Sequence, residues 1–251
     1  MLYTKEMMEE QTTDLADWQK EVYEHFSIMM TSKDNAYPCV PGVQGFVKNM
    51  LRFGFVEDPR TDSSADGLAC LLKEYGNISR ETGNYASLVV FCDTRSLIEE
   101  EAAIEDYEEI FWALLNATHR LDEAEWPKDI PMDPENQSWE FCYNGEPYFA
   151  FCATPAHKVR KSRGFPCLLL AFQPRWVFDE INASTSLGKK LKNIIRKRLV
   201  TYDDMPPHPA LKWYGQEDNY EWKQYFLHDD DTSIPQCPFM ALKKRLKSLR
   251  P

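Results

Sequence analysis

Apolar positions spaced three or four residues apart predict most of the helices. This spacing predicts helices over 13–30, 103–120 and 184–200, and a shorter one over 65–75. A basic helix is predicted at 239–249. In the long stretches the apolar residues share one face and the charged residues share the other, which is typical of helices packed on a core.

Short apolar runs bounded by loops predict the strands. The run SLVVFC at 87–92 is apolar almost throughout, as in a strand buried on both faces. Two aromatic strands are predicted at 138–143 and 147–153, and another strand at 167–172. The Asn-Gly pair at 144–145 is the strongest short signal for a hairpin turn.

The order of these elements predicts the fold class. Helices interleave with a mostly antiparallel sheet, and neither a long linker nor an internal repeat interrupts the chain. Residues 31–62, rich in Pro and Gly, are predicted as loop, and 221–227 as a strand or short segment. The pattern favours one α+β domain over residues 1–251, with helices packed around the sheet.

Charge and composition argue against one class of function and predict where the protein is located. The 251 residues include 29 Lys and Arg against 40 Asp and Glu, which gives a formal net charge of −11. This acidic balance argues against a nucleic-acid binder, because neutralising phosphates requires a surplus of Lys and Arg on one face. No apolar run is long enough for a membrane helix, and the charged N-terminus precedes no apolar signal core. We therefore expect a cytoplasmic protein.

The seven cysteines form no CxxC pair. In a reducing compartment the expectation is free thiols, most of them buried as small apolar side chains. The absence of clustered ligand pairs argues against a structural zinc site.

The segments TPAHKVRKSR and FQPRWVFD carry the main candidate chemistry. His157 lies in the first, with Arg160 and Arg163, and the second adds Arg175 and Trp176. An imidazole, several guanidinium groups and aromatic rings are the parts of a haem site, as axial ligand, propionate partners and apolar wall. The same residues are also compatible with an anion-binding loop or a structural salt-bridge cluster.

Other side chains are open alternatives for an axial ligand. His119 ends a predicted helix, where capping is the simpler explanation, and His208 lies in a rigid PPHPAL loop. His228 precedes three acidic residues, which favours a solvated loop over a cation site. Cys237 offers a thiol that is either an iron ligand or a buried core residue. The axial ligand is thus open among His157, His208, His119 and Cys237.

Several motifs together are similar to a known family. YPCVPGVQGF at 37–46, WEFCYNGEPYF at 139–149 and CPF at 237–239 resemble the YqcI/YcgG family of bacterial proteins over nearly the whole chain. Some relatives of that family are haem-dependent N-oxygenases that act on guanidino groups of arginine-like molecules. The resemblance therefore implies haem b, dioxygen, an external reductase and a cationic small-molecule substrate, although FQPRW departs from the relatives' motif.

The resemblance also implies roles for individual residues. It makes His157 the proximal iron ligand, with Arg160, Arg163 or Arg175 beside the haem propionates. A Glu-x-x-Gln-Tyr segment of the relatives matches Glu221, Gln224 and Tyr225, which implies that these residues bind the substrate. The carboxylate of Glu221 would then bind the guanidinium in a bidentate pair.

Two further functions compete with the haem N-oxygenase. One is a non-catalytic sensor or carrier that binds haem or another small ligand in the same pocket. The other is an interaction protein that docks its basic helix at 239–249 on an acidic partner. The oligomeric state is open.

Overall fold

In the computed structural model, helices and short turns surround one sheet, and residues 1–10, 14–179, 185–212 and 218–239 are described. The helices are α1 (Lys5–Glu9), α2 (Asp17–Thr31), α3 (Val40–Val47), α4 (Asp62–Thr82), α5 (Arg95–Glu99), α6 (Ile104–Arg120) and α7 (Ser186–Asp203). Short 3-10 turns lie at Lys161–Arg163, Arg175–Phe178 and Glu221–Gln224. No helix in these ranges is long and apolar enough to cross a membrane.

The sheet has five strands in the order β1-β2-β5-β4-β3. The strands are β1 (Leu51–Val56), β2 (Ser87–Cys92), β3 (Phe141–Tyr143), β4 (Glu146–Ala153) and β5 (Leu168–Pro174). β1 and β2 run parallel, with α4 as the crossover between them, and the other neighbouring strands run antiparallel. The predicted α+β class and the mostly antiparallel sheet are confirmed.

The two faces of the sheet are covered differently. On one face, α4 and α6 pack on apolar side chains such as Leu88, Val90 and Ala150, which form a continuous core. On the other face, α2 and α3 cover the β1–β2 side through Phe53 and Val89. The β4–β5 side of this second face is covered less densely, and a cavity lies there.

Most of the predicted elements are present in the structure, and a few differ from the prediction. The strand at 87–92 has the predicted bounds, and the helix predicted at 103–120 is α6. All seven cysteines are free thiols, and five of them are buried. The predicted strand at 138–143 is shorter, and 221–227 begins with a 3-10 turn instead of a strand. Apart from Phe239, the basic helix at 239–249 lies outside the described residues.

The loop predicted over 31–62 was wrong, because this region contains α3 and β1. Pro41 lies in the first turn of α3, where its missing N–H costs no hydrogen bond. Gly54 lies inside β1, and Leu71 of α4 packs where a Cβ would stand, 2.6 Å from its Cδ1. Pro41 is therefore accommodated at a helix start, and Gly54 is accommodated by close packing inside a strand.

We expect Gly45→Ala to destabilise the fold. The added Cβ would stand 2.7 Å from the Tyr85 carbonyl oxygen and 2.9 Å from Leu51 Cδ2. Overpacking of this kind costs about 1–3 kcal/mol, which urea unfolding would measure. Gly76→Ala is the control, since the nearest atom is the Tyr148 hydroxyl at 3.3 Å, and alanine is favoured in helices by about 1 kcal/mol. Equal losses in both variants would contradict the packing argument.

Candidate functional site

The ring of His157 is buried and uses both nitrogens inside the fold. Its Nε2 lies 2.7 Å from the Leu227 carbonyl oxygen, and its Nδ1 lies 2.8 Å from the Thr154 hydroxyl. A carbonyl only accepts, so Nε2 donates and Nδ1 accepts from Thr154. Burial lowers the pKa of His157 to about 4, so the ring is neutral. The predicted role of His157 as iron ligand does not fit this arrangement.

The loop after His157 is tied to the C-terminal segment by Asp229. Its carboxylate accepts the backbone N–H groups of Lys158, Val159 and Arg160 at 2.8, 3.0 and 2.8 Å. Burial alone would raise the pKa of Asp229, but these hydrogen bonds lower it below the ordinary value. Asp229, the first residue of the acidic run after His228, therefore has a structural role.

Arg160 strengthens the same connection. Its guanidinium donates to the carbonyl oxygens of His228 and Pro206 at 2.9 and 3.2 Å, and to the carboxylate of Asp231 at 2.8 Å. The side chain is 2% exposed. These contacts fit the structural salt-bridge alternative and leave little of the guanidinium for a haem propionate.

Arg163 is a second buried guanidinium, and it bonds only to carbonyl oxygens. Its Nη1 donates to Cys152 and Tyr225 at 3.1 and 3.0 Å, and its Nη2 donates to Gln224 at 3.0 Å. Its guanidinium carbon lies 4.2 Å from the centre of the Phe151 ring. Burial lowers the pKa of Arg163 to about 10. Among the described residues no carboxylate lies within ion-pair distance of this charge.

A cavity of about 300 Å³ lies next to Arg160 and Arg163. The half-buried rings of Phe149 and Phe151 on β4 form its sheet side. The opposite side is the apolar stripe of α7, namely Leu191, Ile195 and Leu199. A smaller cavity of about 120 Å³ adjoins it. The lining residues shared by the two cavities are Tyr37, Cys39, Phe149, Phe151, Ser162 and Gln173.

One wall of the larger cavity carries a buried chain of polar side chains. Asn219 Nδ2 donates to Glu221 Oε1 at 2.7 Å, and Gln224 Nε2 donates to Asn219 Oδ1 at 2.9 Å. A carboxylate oxygen accepts from an amide nitrogen, which fixes the direction of both amides. Glu221 Oε2 and Gln224 Oε1 then have no partner among the described residues. Both residues line the cavity and are about nine-tenths buried or more, at 5% and 6% exposure.

The charge state of Glu221 depends on what the cavity contains. Burial, with a smaller contribution from the charge of Glu140, raises the pKa of Glu221 to about 8. The carboxyl group is therefore protonated at neutral pH when no cation faces it. A cation in the cavity would favour the ionised form.

The remaining predicted site residues do not line this cavity. Arg175 Nε lies 3.8 Å from Glu140 Oε1, and Trp176 lies 5.3 Å from the Arg80 guanidinium carbon. The Tyr225 hydroxyl donates to the Tyr148 carbonyl at 3.0 Å and accepts from a backbone N–H at 3.1 Å. Tyr225 is fully buried, so its position fits a structural role.

The alternative axial ligands are also engaged or distant from the cavity. His208 lines the cavity, but its Nε2 donates to Thr232 at 3.0 Å and its Nδ1 accepts from Ala210 at 3.1 Å. His119 packs against Trp126 and Phe239. Cys237 is 2% exposed in the core on the other face of the sheet. In the described part of the chain, no group of three or more His, Cys, Asp and Glu residues could hold a metal ion.

His228 corrects the expectation of a solvated loop. Its Nε2 lies 2.9 Å from Glu108 Oε2 on α6, and its side chain is 12% exposed. The loop is therefore fixed to α6 at this point. The sequence could not show this pair because 120 residues separate its members.

Cys39 lines the cavity and is not among the residues that the sequence predicts for the site. It lies at the N-terminus of α3, where its Sγ accepts from the Gly42 N–H at 3.4 Å, and it lines both cavities. The signal was present in YPCVPG, because a Pro two positions after a capping residue is typical of a helix start. The stretch therefore begins a helix, where a loop is predicted from the sequence.

Comparison with known proteins places the chain among bacterial relatives. The model of the YqcI/YcgG family matches residues 26–240. Two Bacillus subtilis (strain 168) proteins, "Uncharacterized protein YcgG" and "Uncharacterized protein YqcI", are 49% and 50% identical over 249 residues, which is 99% of this chain and 98% of each relative. "Putative N(omega)-hydroxy-L-arginine synthase DcsA" of Streptomyces lavendulae is 30% identical over 233 residues, covering 90% of this chain and 85% of that protein. No solved structure matches the chain.

We expect His157 to make stability depend on pH. Its folded pKa of about 4 lies below an unfolded value of about 6.5, so the unfolded chain binds more protons between these values. The stabilisation is complete above pH 6.5 and is lost as the pH falls to 4, by about 3 kcal/mol. Urea unfolding of His157→Gln should show a smaller loss over this window.

His25→Gln provides the comparison, because His25 is exposed on α2, although desolvation lowers its pKa in the same direction. This variant should keep most of the acid dependence. An unchanged slope in His157→Gln would contradict the structural role of the buried ring.

Proposed function

The chain belongs to the YqcI/YcgG family, and we propose that it is an N-oxygenase that hydroxylates the guanidino group of an arginine-like small molecule. The name of the Streptomyces relative supports N-hydroxylation of arginine as the reaction class. The observation that carries the proposal is a pair of oxygens on the wall of the cavity, Glu221 Oε2 and Gln224 Oε1, which have no partner among the described residues.

A guanidinium ion matches this pair of oxygens chemically. It is planar and offers several N–H donors in a fixed arrangement, and a carboxylate and an amide oxygen both accept. The amide chain through Asn219 holds both acceptors in place before the ligand arrives, so little ordering cost remains. The apolar sides formed by Phe149 and Leu191 suit the aliphatic part of an arginine-like molecule.

Haem b is the proposed cofactor, and when bound it supplies the activation of dioxygen. Hydroxylation of one guanidine nitrogen consumes one dioxygen, two electrons and two protons, and it releases one water. The electrons are proposed to come from an external reductase. The chain's own contribution is to hold the guanidinium at Glu221 and Gln224 and to exclude water by the apolar walls. His157 does not fit as the iron ligand, so no step is assigned to it.

We expect L-arginine binding to release a proton. Without ligand, Glu221 is protonated below its pKa of about 8, and pairing with the guanidinium ionises it. Calorimetry at pH 7 in buffers of different ionisation enthalpy should detect this release, and affinity should rise as the pH increases toward 8. Glu221→Gln should weaken binding by roughly 10- to 100-fold and abolish the release.

Glu99→Gln, an exposed carboxylate on α5, is the control and should bind as the wild type does. Binding that is unchanged in Glu221→Gln would contradict the assigned guanidinium site.

Turnover separates the enzyme from the sensor or carrier. Incubation of the haem-loaded protein with arginine, dioxygen and a reducing system should give a product heavier by one oxygen atom, detected by mass spectrometry. Binding without any oxidised product from a panel of guanidines would favour the carrier. The hypothesis of an interaction protein depends on the basic helix predicted at 239–249, almost all of which lies outside the described residues. The cytoplasmic location also stays a prediction.

A further inference from the structure

The Cys39 thiol is placed where the two adjoining cavities meet. It is exposed and lines both of them. Tyr37, two residues earlier, donates its hydroxyl to the Ser162 carbonyl at 3.0 Å and so fixes this segment to the loop after β4. The thiol therefore has both open space in front of it and a rigid backbone behind it.

Two groups beside Cys39 would stabilise an anionic sulfur on ligation. The Gly42 N–H at the start of α3 lies 3.4 Å from Sγ, and the guanidinium of Arg163 acts on the sulfur electrostatically. Arg163 lines the same cavity and has no carboxylate partner within ion-pair distance among the described residues. An anionic sulfur in this cavity would offset that buried positive charge.

A second observation shows that the same cavity is built for a ligand. Glu221 is 5% exposed, lines the larger cavity and keeps Oε2 without a partner in the described part of the chain. An acceptor that opens onto a cavity in this way is available to a ligand that donates a hydrogen bond. Cys39 and Glu221 are thus two functional groups on the wall of one cavity.

We propose that Cys39, in place of His157, is the protein's thiolate ligand to the haem iron. The inference rests on the proposed oxygenase function, since it names the residue that would hold the proposed cofactor. On ligation the thiol proton passes to solvent and the sulfur donates an electron pair to iron, with no change in oxidation state. Thiolate ligation is the kind that favours cleavage of the O–O bond, which suits insertion of oxygen into an N–H bond.

The other thiols are less suited to this role. Cys92, Cys152 and Cys237 are buried in the core on the opposite face of the sheet. Cys167 is buried under α2. Cys70 is exposed on α4 and Cys142 is buried on β3, and neither of them lines the cavity. The described cysteines therefore leave Cys39 as the thiol that faces the cavity.

The test is the absorption spectrum of the haem-loaded protein, read without any turnover. We expect the wild type to bind haem, and its reduced carbon monoxide complex to show the strongly red-shifted Soret band of thiolate ligation. Cys39→Ser should lose that band or lose haem. Serine is a good N-cap, so this variant keeps the start of α3 and should fold, as circular dichroism and urea unfolding would verify. Cys70→Ser is the matched control and should keep the wild-type spectrum.

The outcomes separate this inference from the proposed function. An imidazole-type spectrum that survives Cys39→Ser, or a wild type that binds no haem, would overturn the ligation. Arginine binding that depends on Glu221 would still stand in either case. A thiolate spectrum that depends on Cys39, together with no arginine binding, would support the ligation and overturn the assigned guanidinium site.

Discussion

The buried guanidinium of Arg163 connects the parts of the molecule that form the cavity. Its Nη1 donates to the carbonyl oxygens of Cys152 on β4 and of Tyr225, and its Nη2 donates to the carbonyl oxygen of Gln224. An Arg side chain offers several donors in one rigid plane, so it can hold separate backbone segments at a fixed distance. Together with the Cys152 N–H, which donates to the Tyr225 carbonyl oxygen at 3.1 Å, Arg163 fixes the segment of Glu221 and Gln224 against the sheet.

One face of the sheet packs into the hydrophobic core, and part of the other face lines the cavity. Along β4, Tyr148 and Ala150 point into the core beneath α4 and α6, while Phe149 and Phe151 point into the cavity. Strand residues alternate between faces, so one short aromatic segment supplies both surfaces. The dense core on one face provides the rigid base that a cavity on the other face requires.

The sequence predicted the structure correctly where a local pattern of residues is enough to determine an element. Residues 87–92 are buried at every position, so their apolar run was sufficient, whereas β1 contains Gly54 and was missed. At the site, Glu221 and Gln224 were selected by motif and do lie together on the cavity wall. Their role in binding substrate stays a prediction. The placement of His157 depends on Leu227, 70 residues further along the chain, and no local pattern encodes that hydrogen bond.

Helix α7 covers the cavity with side chains that remain half-buried, and within α7 the buried residues are Gly188 and Asp203. By contrast, α4 buries residues along its whole length. Local opening of a helix costs less when fewer of its side chains are buried. We therefore expect the amide protons of α7 to exchange with solvent faster than those of α4, and a molecule bound beneath Leu191 and Ile195 to slow that exchange. Hydrogen exchange along this one helix thus reports directly on whether the cavity is filled.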